Sequence, residues 1–368
     1  MFNRISLYLK NLDWVIFFSV LLLIAFGLTE LYSIALGQEK FNLLNFEKQV
    51  IFMVVGLILV FLFSFIDYYN FRSFSNYLYL AGVLSLIGVL FFGRTIRGTT
   101  GWFDIFNLSV QPVEFVKMVL IIFLARYFSS VSIKISPLKH LLISGGGTLL
   151  LVALVLRQPD FGSAALLFLV WLVMIAAVGF KKKYLLVICL ILVLAFLSGW
   201  LFFFQDYQKE RILTFLNPTF NPLNQGYNIT QAIIAVGAGG LTGRGVGFGS
   251  QSQLKFLPES QNDFIFAVIA EELGFLGVFL VTFFFGVLIY RLIASIKKLN
   301  NDFAIYYIIG VTALIFIEMF INIGMNIGLL PVVGISLPFL SYGGSAIISS
   351  LMMIGIAQSI IIRSKIKY

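Results

Sequence analysis

Residues 49–66, QVIFMVVGLILVFLFSFI, run for eighteen positions without a charged side chain. A run of ~18 or more such residues is long enough to cross the hydrocarbon of a bilayer as a helix. Comparable runs recur at 161–180, 184–205 and 273–290. A helix satisfies its own backbone donors and acceptors where no water can. The expected fold class is therefore all-α: a polytopic integral membrane protein. Composition agrees. The 368 residues are 60% hydrophobic and 11% charged, against about 25% charged in globular domains. The 41 phenylalanines suit a surface facing lipid.

About ten spans can be read, over 13–35, 48–67, 74–93, 112–130, 139–156, 163–180, 184–204, 263–293, 303–328 and 344–363. Placing the N-terminus inside puts 14 basic and three acidic residues in the inner segments, and nine of each in the outer ones. Excess Lys and Arg marks the cytoplasmic side, so both termini are expected there. The same rule accounts for the net charge of +9 without a nucleic-acid partner. Arg4 and Lys10 precede an apolar stretch followed by further spans, which favours a retained first helix over a cleaved signal peptide. The chain reads as a single membrane domain over 1–368. It carries one long external loop, residues 205–262, between the seventh and eighth spans. That loop keeps apolar and aromatic residues, and YNITQAIIAVGAGG (227–240) has the pattern of a short helix ending in glycine.

One cysteine, Cys189, and one histidine, His140, exclude an intramolecular disulfide, a zinc site and histidine-based catalytic triads. Acids and lysines inside spans are then the informative residues, because burying charge in a membrane is expensive. Glu114 and Lys117 lie at i, i+3 in QPVEFVK, on one helix face where they can pair. Such a pair either locks two helices or lines a cavity for a polar substrate. Glu271 and Glu272 are adjacent and point apart, which suits one of them to a neighbouring helix end or loop. Glu318 precedes NIGMNIG, whose Asn322 and Asn326 read as polar glue on a tightly packed face. Asp263 stands where the long loop enters the eighth span. It is either an N-cap, a carboxylate facing an external substrate, or both. Arg211 suits an interfacial position or a phosphate. Arg157 and Asp160 of RQPD are placed to pair with each other. GAGGLTGRGVGFG (237–249) holds seven glycines but lacks the Lys-Ser/Thr of a P-loop. It reads as a turn that lets backbone approach a ligand or helix.

Taken in order, RGTTGWFDIFNLSVQPVEFVK, RQPDFGSAALLF, RILTFLNPTFNPLNQGYNITQAIIAVGAGGLTGRGVGFGSQSQLKFLPESQNDFIFAVIAEELGF and NIGMNIGLLPVVGISLPFLSYGGSA resemble the RodA/FtsW family, also called SEDS proteins. The resemblance runs from the first span to the C-terminus. NIGMNIGLLPV and GISLPF are more similar to the RodA elongation branch than to the FtsW division branch. The family implies a peptidoglycan glycosyltransferase of the bacterial cytoplasmic membrane, polymerising lipid II at its outer face in cell elongation and shape maintenance. The implied partners are a class B penicillin-binding protein, which crosslinks the product, and other membrane proteins of the elongation complex. The family's essential loop carboxylate falls on Asp263, and its membrane Glu–Lys pair on Glu114 and Lys117. Asp160 and Arg211 also match family positions. Ser260-Gln261-Asn262 departs from the His-Thr that many members carry before the Asp.

Lipid II polymerisation joins a sugar 4-hydroxyl to the anomeric carbon of a lipid-linked disaccharide and expels undecaprenyl pyrophosphate. An α-linked donor and β-linked product imply one inverting displacement. This needs a base near the hydroxyl and positive charge near the pyrophosphate. The resemblance offers Asp263 as the base, a role worth ~10²–10⁴-fold in general. Alternatively Asp263 holds a divalent cation, Mg²⁺ or Mn²⁺. Lys117 and Arg211 are the leading phosphate partners. Two other readings are a flippase or transporter of a lipid-linked precursor, and a structural scaffold for the partner.

Overall fold

The computed structural model describes residues 8–37, 42–96, 98–105, 108–130, 137–179, 197–203, 206–217 and 225–366, together with positions 187 and 190. Seven described helices are long and apolar enough to cross a membrane. They are α1 (Trp14–Leu36), α2 (Leu44–Phe65), α3 (Tyr68–Phe92), α5 (Pro137–Leu156), α10 (Ile265–Ile296), α11 (Asp302–Asn326) and α12 (Gly344–Lys365). Two more helices match expected spans. α4 (Pro112–Ser130) carries three charges, and α6 (Phe161–Ala177) has 17 residues. The span expected over 184–204 lies largely outside the described residues.

Packing follows the charge. α4 is buried round its circumference, Glu114 and Lys117 included. A helix with three charges is stable in a membrane when other helices, not lipid, surround it. α12 covers α2 and also touches α4, while α4 is flanked by α3 and α11. The most apolar 18-residue stretch of α12 is 83% buried, against 22% for those of α2 and α3, whose outer faces carry exposed Ile51, Phe74 and Leu80.

The expected 205–262 loop is largely structured. It contains α7 (Asp206–Leu216), α8 (Gln225–Ala238) and the single turn α9 (Ser250–Gln253). α8 is the short helix foreseen over 227–240. The sequence reading did not foresee a three-stranded antiparallel sheet between α3 and α4. It comprises β1 (Arg94–Ile96), β2 (Thr99–Ile105) and β3 (Leu108–Val110). Its threonines and aromatics favour strands, and the Thr100 N–H reaches the Gln158 carbonyl at 3.2 Å to pin the sheet to the RQPD turn.

α10 is two helices joined at Gly274, whose φ of 65° and ψ of −161° break the ladder. The break leaves carbonyls and amides without helical partners, and the glycine-rich run supplies them. Arg244 and Gly245 N–H groups donate to the carbonyls of Glu271 and Glu272 at 3.0 and 2.9 Å, while the Phe275 and Leu276 N–H groups donate to the carbonyls of Gly240 and Leu241. A Cβ on Gly274 would fall 2.2 Å from the Gly243 nitrogen. The glycines of 237–249 thus admit backbone to backbone, and the nearby chain they serve is a helix.

The polar contacts sort into two ends. At one, Arg291 grips Asp13 at 2.8 Å, Gln358 bonds the Asp13 backbone and Lys365 reaches the Asn11 carbonyl. The first and last helices therefore meet at a single end. At the other gather Asn45, Thr100, Gln111, Gln158, Gln261 and Tyr342. These are the inner and outer groups into which the basic residues divided the chain.

Candidate active site

The start of α10 needs acceptors for its first amides, and Asp263 is well placed to provide one. The structure assigns the task elsewhere. The cap position is Phe264, without a side-chain bond. The acceptor is Asn326 Oδ1 of α11, which takes the Ala267 N–H at 3.1 Å. Asn326 Nδ2 donates in turn to the Asp263 carbonyl at 2.9 Å. Asn322 Nδ2 donates to that same carbonyl at 3.1 Å and to the Ile335 carbonyl at 2.7 Å. Both asparagines are fully buried. The capping expectation for Asp263 is thereby corrected: its backbone is gripped from α11 and its side chain stays half-buried at the head of the helix. Gly334 lies alongside, where a Cβ would stand 3.8 Å from Asp263 Oδ2.

Ser252, Gln253, Lys255 and residues 257–262, with Ile34, Gly37, Asn45 and Tyr342, wall a cleft of about 350 Å³. Its floor is braced. Asn45 Nδ2 donates to Gln261 Oε1 at 2.7 Å, Tyr342 N–H to the Gln261 carbonyl at 2.8 Å and Ser341 Oγ to the Asn262 carbonyl at 2.7 Å. Burial holds the Tyr342 phenol above its ordinary pKa, so it remains a protonated donor at neutral pH.

The Glu114–Lys117 pair forms as the spacing predicts, at 2.8 Å. A third member joins it. Glu318 Oε1 of α11 sits 2.6 Å from the same ammonium. All three are buried, and a crevice lined by Glu114, Glu318, Ser336, Ser341 and Ser350 opens beside them. The triad places one cation between two acids and joins α4 to α11. Sequence reasoning flagged Glu318 as an intramembrane acid but read it as helix packing, because its partner stands 201 positions away.

Asp160 caps α6, accepting the Ser163 N–H at 3.0 Å and the Ser163 hydroxyl at 2.7 Å. Gln111, just ahead of α4, reaches it at 3.5 Å. This cap stands in place of the pairing with Arg157 that adjacency suggested. Gly162, two residues after Asp160, packs against the Val333 carbonyl, next to the Gly334 that lies alongside Asp263. Arg211 lies in α7, with its side chain outside the described part of the structure.

Glu271 and Glu272 are fully buried and both serve the loop, one more than the sequence suggested. Glu271 accepts the N–H groups of Gln251 and Ser252 at 2.8 and 3.1 Å. Glu272 accepts the Ser33 hydroxyl at 2.5 Å, the Gly247 N–H at 3.0 Å, the Ser252 hydroxyl and the Gln253 amide. The external loop is therefore tied both to α10 and, through Ser33, to α1. Among the described residues no three His, Cys, Asp or Glu side chains gather in a metal-binding group. A divalent cation at Asp263 would have to take its remaining ligands from carbonyls, water or substrate oxygens, as Mg²⁺ commonly does.

A family model described as "Cell cycle protein", FTSW_RODA_SPOVE, matches residues 13–366. Peptidoglycan glycosyltransferase MrdB of Escherichia coli K12 is 34% identical over 351 residues, covering 95% of this chain and 93% of its own. Stage V sporulation protein E of Bacillus subtilis is 34% identical over 357 residues, covering 95% and 96%. Among solved structures, a chain from a peptidoglycan synthase complex that coordinates polymerization and crosslinking superposes with a TM-score of 0.80, at 28% identity, covering 96% of this chain and 98% of that one. Rod shape determining protein RodA of Thermus thermophilus gives 0.71 at 26% identity, covering 95% and 96%.

Proposed function

The chain belongs to the FtsW/RodA/SpoVE family, and from that premise we propose that it polymerises lipid II at the outer face of a bacterial cytoplasmic membrane, with Asp263 at the reacting centre. It is a multi-pass membrane protein and a peptidoglycan glycosyltransferase of cell-wall synthesis. The finer reading is of an inverting displacement. Asp263 accepts the proton of the attacking sugar 4-hydroxyl and undecaprenyl pyrophosphate departs. The observation that carries it is the placement of Asp263: a half-buried carboxylate at the head of α10, its backbone held by two buried asparagines, directly after a loop segment, 257–262, that walls a cleft. In the cleft, the Asn45 Oδ1 acceptor and the Gln261 Nε2 donor, which their mutual bond leaves over, are of the kind that hydroxyl and acetamido groups of amino sugars take.

Asp160 and Arg211 fill substrate-binding roles in this reading, Arg211 as the guanidinium for the pyrophosphate. Glu114 and Lys117 also bind substrate in this reading, beside the crevice that Glu114 and Glu318 line. A divalent cation shared between Asp263 and the pyrophosphate would neutralise charge there. The partner is a class B penicillin-binding protein that crosslinks the new strand, a reading supported by the likeness to a synthase-complex chain. The setting is cell elongation, alongside other membrane proteins of the elongation complex.

The broken α10 favours one second reading, transport of a lipid-linked precursor, since transporters often carry interrupted helices at the substrate site. Here, however, the glycine-rich backbone occupies the break. The test uses purified protein with its crosslinking partner and labelled lipid II. Wild type yields glycan chains and Asp263→Ala none, with at least a ~100-fold loss. Full polymerisation by Asp263→Ala would remove Asp263 from the mechanism. Lipid II translocation in vesicles without polymer would favour the transporter.

A further inference from the structure

Glu318, Asn322 and Asn326 recur every four residues on α11, so they share one face at rises of about 6 Å. The lowest rung holds Lys117. The middle rung reaches the carbonyls of Asp263 and Ile335. The top rung reaches the Asp263 carbonyl and the Ala267 N–H. Asn326 Nδ2 also lies 2.8 Å from the Asn322 carbonyl and 3.3 Å from Asn322 Oδ1, so the two carboxamides brace each other. This is more fixing than a helix start needs. One acceptor suffices to cap, yet two donors converge on the single peptide carbonyl that carries the Asp263 side chain.

We propose that Asn322 and Asn326 are positioning residues for glycosyl transfer, setting the direction of the Asp263 carboxylate by holding its own peptide group. The proposal rests on the reading of Asp263 as a reacting group. Neither asparagine touches substrate; each acts through Asp263. The arrangement has two parts. Asn326 Oδ1 accepts the Ala267 N–H, so the first turn of α10 is bonded from α11. The paired Nδ2 donors hold the peptide plane that follows Asp263, and with it the ψ of that residue, from a helix that the ion triad anchors to α4. Displacing a reacting group by about 1 Å can lower a rate ~100-fold, so the effect belongs in kcat and not in the binding of lipid II.

The test exploits the chemical difference between the two jobs of Asn326. Aspartate caps a helix about as well as asparagine but, ionised, donates nothing. A purely structural cap therefore predicts that Asn326→Asp keeps the wild-type kcat. Positioning predicts a loss of about tenfold or more, with KM for lipid II within about twofold. Asn322→Ala adds no charge, leaves the Asn326–Ala267 bond in place, and carries the same expectation if Asn326→Asp does not fold. Melting in detergent fixes the folded fraction to which rates are normalised. Wild-type kcat in folded Asn322→Ala and Asn326→Asp overturns the proposal. Asp263→Asn, run in parallel, separates the two claims: if it keeps activity the Asp263 reading fails, and if it is dead while both asparagine variants are fully active, positioning alone fails.

Discussion

At the scale of single residues the molecule places few charges and assigns nearly every buried one a partner. Lys117 stands between Glu114 and Glu318, and removing it leaves two carboxylates facing each other out of water. Lys117→Met is expected to lower stability by about 3–5 kcal/mol, read as a fall in melting temperature in nanodiscs. Glu318→Gln should cost less, since Glu114 still neutralises the lysine. The triple variant Glu114→Gln, Lys117→Met, Glu318→Gln should recover part of the loss, because no unpaired charge remains. Equal melting of Lys117→Met and wild type would show that the triad carries no net stability. Half of this was legible in sequence. Glu114 and Lys117 are neighbours along one helix, and i, i+3 spacing is local information. Glu318 is distant in sequence and came with no marker of its partner. Asp263 was legible as a residue of interest because it stands where the long loop enters a span and because the family's loop carboxylate falls on it. That Asn326 would do its capping was not legible, since nothing local links positions 263 and 326.

At the scale of elements, the interrupted α10 and the glycine run behave as one unit. Gly274→Ala forces a side chain into a positive-φ position within 2.2 Å of the Gly243 nitrogen. It is expected to destabilise by more than the ~1 kcal/mol typical of a glycine conformational effect, with lost activity because the loop above is displaced. Gly286→Ala, in the second half of α10, meets nothing within 4 Å. It should be neutral or stabilise by ~0.5–1 kcal/mol. Thermal melts of the two variants side by side check the contrast, and equal effects would contradict a clasp at Gly274. Hydropathy read this region as one continuous span, since it reports composition and is blind to one φ angle. The sheet of β1 to β3 escaped for a related reason: three short strands between two strong helical signals carry too little periodicity to stand out.

At the scale of the whole molecule, the charge count divided the loops into two sets before any coordinates, and contacts gather the same sets at opposite ends. Replacing Cys189, the single cysteine, by serine gives a background for topology. A cysteine at Lys255, exposed beside the cleft, should react with a membrane-impermeant maleimide added to intact spheroplasts. One at Lys298 should react only after permeabilisation. The reverse pattern would invert the assigned orientation. Fold class and span order were written plainly in the sequence because burying apolar surface is collective and survives local error. The arrangement of spans round the site was not, since it is set by contacts between distant helices.

α1 is fastened at both ends by residues made much later. Asp13 waits for Arg291 and Gln358, the latter 345 positions on, and Ser33 waits for Glu272, 239 positions on. At synthesis rates of about 5–20 residues per second, the first span spends roughly 20–70 s in the bilayer before its last partner exists. Throughout that interval Glu30, fully buried in the finished molecule, has no protein interior to occupy. Nascent chains are therefore most vulnerable at their beginning. A membrane-bound chaperone or quality-control protease would meet this polypeptide first at α1, and a chain truncated before α12 should be degraded from a state in which its first helix was never captured.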